Sequence, residues 1–133
     1  MRRRLDPYDA RMQFEGKNIV VTGAGRGIGA ALATSFHARG ANVVLADLAG
    51  ARDAADTLGD GRASGVTADV STEEGNRILI ETATERLGSI DLFFANAGVG
   101  SGTNLADTSE DVWNTAFAVN VHAHRWAAKY LLP

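Results

Sequence analysis

The chain has 133 residues, 45% hydrophobic and 22% charged, which is the balance of one soluble globular domain with room for a sizeable core. A net charge of −3 leaves no broad basic surface for a nucleic-acid backbone, and Arg2, Arg3 and Arg4 read as a solvated terminal arm. With no cysteine there are no disulfides or thiolate metal sites, and no apolar run reaches the length of a membrane span, so the expected location is cytoplasmic.

Residues 1–15 carry arginines, aspartates and one proline with no sustained period, and read as an arm ahead of a domain over 16–133. The stretch LDPYDAR after the arginines has no apolar core, which argues against a secretory signal. From Gly16 onward short apolar runs appear at Ile19-Val20-Val21, Val43-Val44-Leu45-Ala46 and Leu92-Phe93-Phe94-Ala95, with a weaker one at Val66-Thr67-Ala68. Runs without alternation suit strands covered on both faces, as in a parallel sheet.

Helical patterns separate these runs. Ile28, Leu32 and Phe36, with Ala31 and Ser35, make one face of a helix ending near Gly40, and Ala51–Leu58 makes a weaker helix stopped by Gly59 and Gly61. Ser71-Thr72-Glu73-Glu74 reads as a capping box, Ser71 accepting a first-turn amide and Glu74 reaching back. Its helix stacks Leu79, Ala83 and Leu87 before Gly88. Thr108 or Ser109 opens a last helix with an inner stripe of Val112, Ala116, Val119, Ala123 and Ala127.

Strict alternation of strand and helix predicts an α/β fold of the Rossmann type. Right-handed crossovers place the first two helices on one face. With strand four returning to the other side of strand one, the parallel sheet has order 3-2-1-4, the later helices cover the second face, and a crevice opens beside strand one above the carboxyl ends of the strands. VVTGAGRGIG, residues 20–29, falls where strand one passes into its helix. A phosphate there needs bare backbone. Gly23 can make the turn, Gly25 or Gly27 can admit the ligand, and Gly29 can let helix and sheet pack closely. Asp47 ends strand two, where a carboxylate can accept both hydroxyls of an adenosine ribose. Its charge would repel a 2′-phosphate, which favours NAD over NADP, although Arg26 could pair with such a phosphate if it is not simply solvated.

At this point the sequence resembles the short-chain dehydrogenase/reductase family over residues 16–133. Thr22-Gly23-Ala24-Gly25-Arg26-Gly27-Ile28-Gly29 matches the family's TGxxxGxG cofactor turn, and Asp69-Val70 resembles its adenine contact. Asn96-Ala97-Gly98 is similar to the family's NNAG, with Ala95 in place of the first asparagine, and Asn120 after Val119 resembles the asparagine of the catalytic tetrad. The resemblance implies NAD bound by these residues with Asp47 and Leu48, hydride transfer with an alcohol or carbonyl substrate, and a homo-oligomer packed through the last helix. It also implies a serine and a Tyr-x-x-x-Lys pair, in which the lysine lowers the tyrosine's pKa.

No Tyr-x-x-x-Lys exists here: Gln13 lies four residues before Lys17, and Arg125 four before Lys129. The chain therefore reads as the cofactor-binding half of a dehydrogenase, inactive by itself, with only Ser101, Gly102 and Thr103 placed to border a substrate. The alternatives are a noncatalytic dinucleotide-binding module and an S-adenosylmethionine methyltransferase. His122 and His124 are two apart, on different faces of a helix, so no metal site is expected. Trp113 and Trp126 read as packing residues, Trp126 at a subunit interface.

Overall fold

A computed structural model describes residues 13–132. The arginines of the arm lie outside the described residues. The elements run β1 Asn18–Thr22, α1 Gly27–Ala38, β2 Asn42–Asp47, α2 Ala51–Asp56, β3 Ala63–Thr67, α3 Glu73–Leu87, β4 Leu92–Phe94, α4 Glu110–Phe117, a π-helical turn Ala118–His122, and α5 Ala123–Leu131. All strand pairs are parallel and the order is β3-β2-β1-β4. This is the Rossmann arrangement expected from the alternation.

The two faces of β1 and β2 feed separate cores. Ile19, Val21, Val43 and Leu45 pack with Ala33 and Phe36 of α1 and with Ala51 and Ala55 of α2. Val20, Val44 and Ala46 pack with Val66 and with Leu79 and Ala83 of α3. Neither central strand has a solvated face, which is why its sequence does not alternate. Phe14, within the segment read as an arm, sets its ring edge-on to Phe36 at 5.0 Å and joins the first core.

Three local expectations are corrected. The cap of α3 is Thr72, whose hydroxyl accepts the Gly75 N–H at 2.9 Å. Ser71 instead donates its hydroxyl to Asp69 Oδ1 at 2.6 Å, and Glu74 pairs with Arg77. The nearby aspartate competes for the serine and moves the cap by one residue. In α1 the buried side is Ala33, Phe36 and His37 with Gly29, while Ile28 is 76% exposed and Ala31 is exposed too. In the last helical stretch Val119, Ala123 and Ala127 are buried, but Val112 and Trp113 are exposed and α4 buries nothing. The π turn separates the two halves: Ala123 N–H reaches back five residues to the Ala118 carbonyl, which rotates the inward face.

At the amino ends of the strands, a polar cluster fastens α1 to the edge strand. His37 Nε2 lies 2.6 Å from Asp60 Oδ1, and Arg62 Nη1 donates to the carbonyls of His37 and Ala41. Hydrogen bonding to His37 first, then to Arg62, holds the Asp60 carboxyl at about 2 against an ordinary 3.8. A lowered folded-state value stabilises above the ordinary one and is lost as pH falls through the lowered one. Asp60→Asn is therefore expected to be less stable than the parent at neutral pH, with the gap closing as the pH falls from 3.8 to about 2, as urea titrations at each pH would show.

Candidate functional site

The sheet order creates the site. The turns after β1 and β4 leave neighbouring strands toward opposite faces, and between them opens a cleft of about 450 Å³. Its base is the β1–α1 turn, with Gly23, Arg26, Gly27, Ile28 and Gly29. One side carries Asp47 and Leu48 from the end of β2, and Asp69 and Val70 from just beyond β3. Across from them stand Asn96, Ala97 and Gly98, followed by Val99. Thr22, Gly25 and Asn120, also singled out from the sequence, do not line the cleft: Thr22 is buried beneath it, Gly25 is half-buried, and Asn120 is exposed and lines a neighbouring hollow.

Thr22 is the clamp between the two diverging turns. Its hydroxyl, 3% exposed as part of the residue, accepts the backbone N–H groups of Asn96 and Ala97, both at 3.1 Å. Asn96 answers with its side-chain amide, donating to the Thr22 carbonyl at 3.0 Å and the Gly23 carbonyl at 3.4 Å. Together they set the width of the crevice at the end of β1.

Gly29 and Gly25 are required by close approach within the protein. A Cβ on Gly29 would stand 2.1 Å from the Gly23 carbonyl oxygen, and one on Gly25 would stand 2.0 Å from that of Ala49. Gly27 is different: its φ is +60° and nothing lies within 4 Å of where a Cβ would be. Of the two candidates for admitting a ligand, Gly27 has the open face. Arg26 precedes α1 without giving a side-chain cap, so the first-turn amides keep their donors at the base of the cleft. Asp47 uses each carboxylate oxygen once, Oδ2 on Gly25 N–H at 2.9 Å and Oδ1 on Leu48 N–H at 2.7 Å. Lone pairs remain on both oxygens for further donors.

Asn120 sits in the π turn with both ends of its amide committed to one residue. Oδ1 accepts Val99 N–H at 3.0 Å, and Nδ2 donates to the Val99 carbonyl at 2.8 Å. It thereby pins the segment after β4 to the helix. Beyond Val99 lies a second hollow of about 320 Å³, which Ser101 and Thr103 line together with Trp113 and Phe117. Among the described residues no cluster of three His, Asp or Glu side chains could hold a metal, and no helix is long and apolar enough to cross a membrane.

This arrangement has known counterparts. The family model described as short chain dehydrogenase matches residues 17–133. The chain belongs to the short-chain dehydrogenase family. Family membership leaves the methyltransferase alternative without support. The chain is 39% identical over 126 residues to meso-2,3-butanediol dehydrogenase of Serratia marcescens, covering 92% of this chain and 49% of that relative. It is 34% identical to a 3-ketoacyl-(acyl-carrier-protein) reductase from Brucella melitensis complexed with NADH, with a TM-score of 0.85 over 90% of this chain and 50% of that one. A short chain dehydrogenase/reductase from Burkholderia phymatum in complex with NAD gives a TM-score of 0.84 at 36% identity, covering 89% and 43% of the two chains. The chain thus spans about half the length of these relatives.

The sequence reading missed Ala46, Ala68, Val99 and Val119 as cleft residues. Ala46 and Ala68 lie next to Asp47 and Asp69 at the carboxyl ends of β2 and β3, so position in the strand was the available signal. The clamp gives a direct test. Thr22→Val deletes an acceptor shared by two amides and is expected to cost about 1–3 kcal/mol, whereas Thr22→Ser should stay near the parent; equilibrium unfolding in urea measures both.

Proposed function

We propose that this chain is the cofactor-binding half of an NAD-dependent oxidoreductase, acting by hydride transfer between NAD(H) and an alcohol or carbonyl compound. The observation that carries the reading is the conjunction in one cleft of the uncapped α1 amides, the open face of Gly27 and the Asp47 carboxylate. The cleft's 450 Å³ falls within the range of cofactor sites, and its chemistry fits a nicotinamide dinucleotide. The α1 amides and helix dipole suit a pyrophosphate, the dipole adding about 0.3–1 kcal/mol. Asp47 suits the ribose hydroxyls, with Leu48 exposed beside it. Asp69 and Val70 suit the adenine. Complexes of similar folds with NADH and NAD support the same choice of ligand class.

When bound, the nicotinamide supplies the hydride acceptor or donor. The residues of this chain bind and orient it: Thr22 and Asn96 hold the cleft's width, and Asn120 fixes Val99 on the side toward Ser101 and Thr103. Proton transfer needs a group of another kind. Tyr130 gives its phenolic hydrogen to Glu73 Oε1 at 2.9 Å, and that carboxylate pushes the phenol above its ordinary value. A catalytic tyrosine requires the opposite shift. Lys129 lies next to Tyr130 and donates to the same Glu73 oxygen, so the pair serves as a clasp between α3 and α5.

The complete protein is proposed to be a cytoplasmic homo-oligomer, in keeping with the exposed Trp113, Phe117 and Val121 along α4 and the π turn.

Titration calorimetry with NADH and NADPH tests the cofactor reading. Asp47→Ala is expected to weaken NADH binding by about tenfold and NADPH binding far less, from the loss of charge-assisted hydrogen bonds. Equal losses would remove Asp47 as the reader of the ribose. The 133-residue chain is also expected to reduce no NAD in the presence of alcohols, followed by absorbance of the reduced nicotinamide.

A further inference from the structure

The wall of the cleft formed by Asp69 and Val70 depends on a residue that belongs to none of the motifs. Asn76 lies in the first turns of α3 and is 1% exposed. Its side-chain amide donates twice, to the Val70 carbonyl at 2.8 Å and to the Thr72 carbonyl at 2.7 Å. The Thr72 carbonyl also accepts the Asn76 backbone N–H, so the link to Val70 is the one contributed by the side chain alone.

The other bonds of this junction are local. Ser71 is tied to Asp69 Oδ1, Thr72 N–H to the Asp69 carbonyl, and Thr72 Oγ1 to Gly75 N–H. None of them holds Val70. The helix is pressed hard against the junction, since a Cβ on Gly75 would come 1.9 Å from the Asp69 carbonyl oxygen. The neighbouring buried side chains of α3 are Leu79, Ile80 and Ala83. An asparagine among them carries a desolvation penalty that only its hydrogen bonds offset, so its polar work lies at Val70.

We propose that Asn76 is a positioning residue for the base-binding end of the cleft. By holding the Val70 carbonyl, it fixes the place at which Asp69 and Val70 meet an adenine ring. The proposal rests on the dinucleotide reading above. Adenine offers an amino donor where hypoxanthine has a carbonyl oxygen, so a carboxylate held in place prefers adenine. A junction free to shift loses that preference.

The test compares NADH with reduced nicotinamide hypoxanthine dinucleotide by fluorescence titration of the parent, Asn76→Val and Leu87→Ala. Leu87 packs against the same core at the far end of α3 and controls for lost stability. Asn76→Val is expected to bind NADH about tenfold more weakly and to lose most of the adenine preference, while Leu87→Ala lowers the melting temperature with the preference intact. Unchanged affinity and preference in Asn76→Val, or an equal loss of preference in Leu87→Ala, overturns the proposal. A parent that binds no NADH overturns the dinucleotide reading before any variant is made. The Asn76–Val70 link has its own readout in the unaltered chain: the Asn76 side-chain amide protons should exchange slowly by NMR. Exchange at the rate of a solvated amide overturns the proposal even if Asn76→Val does not fold.

Discussion

Two neighbouring parallel strands whose chains depart toward opposite faces must part company at their ends, and what happens in the gap decides what the molecule can do. Here the gap between β1 and β4 is bridged from both sides, by one hydroxyl and one amide. Thr22 accepts two successive backbone amides from beyond β4, and Asn96 returns two hydrogen bonds to the carbonyls beyond β1. The two turns therefore stay a fixed distance apart, and polar backbone that the sheet no longer pairs is satisfied by protein. The rest of the cleft is arranged around that spacing.

Around the cleft a further set of contacts holds its walls in place. Gly25 and Gly29 let one turn of backbone approach another, and Asp47 ties the glycine turn to the start of the β2–α2 connection. Asn120 joins the segment after β4 to a helix, and Asn76 joins the segment after β3 to another. Every edge of the cleft is thus anchored by a side chain to an element of the scaffold, which is how loops come to hold a defined shape.

Strand positions were legible in the sequence because burial on both faces leaves uninterrupted apolar runs, as at Ile19–Val21 and Val43–Ala46; the sheet order followed from the strand–helix alternation together with the return of strand four to the far side of strand one. The glycine turn and the strand-end acids were legible for a similar reason: local spacing fixes where they must fall. Failures came where a decision depended on partners distant in sequence or on competition between neighbours. Ser71 had the sequence of a cap but Asp69 took its hydroxyl. Val112 and Val119 fit one helical stripe only if the helix stays regular, and the π turn between them has no apolar signature. Ile28 fell on an apolar pattern but faces the cleft mouth, where it is left exposed. Asn76 gave no signal, since a lone polar residue inside a helix is ordinarily read as solvated.

The π turn gives this helix one residue of slack. It winds one residue more into a single turn than an α-helix does, so deleting one residue between Ala118 and His122 would let regular winding resume with α4 and α5 in nearly their present orientation. The loss would be local: the wide turn that carries Asn120 to Val99 would go, while Ala123 and Ala127 kept their buried places on α5, the helix that packs on α3. A deletion within α4 or α5 has no such turn to absorb it and would rotate one helix against the other by roughly 100°.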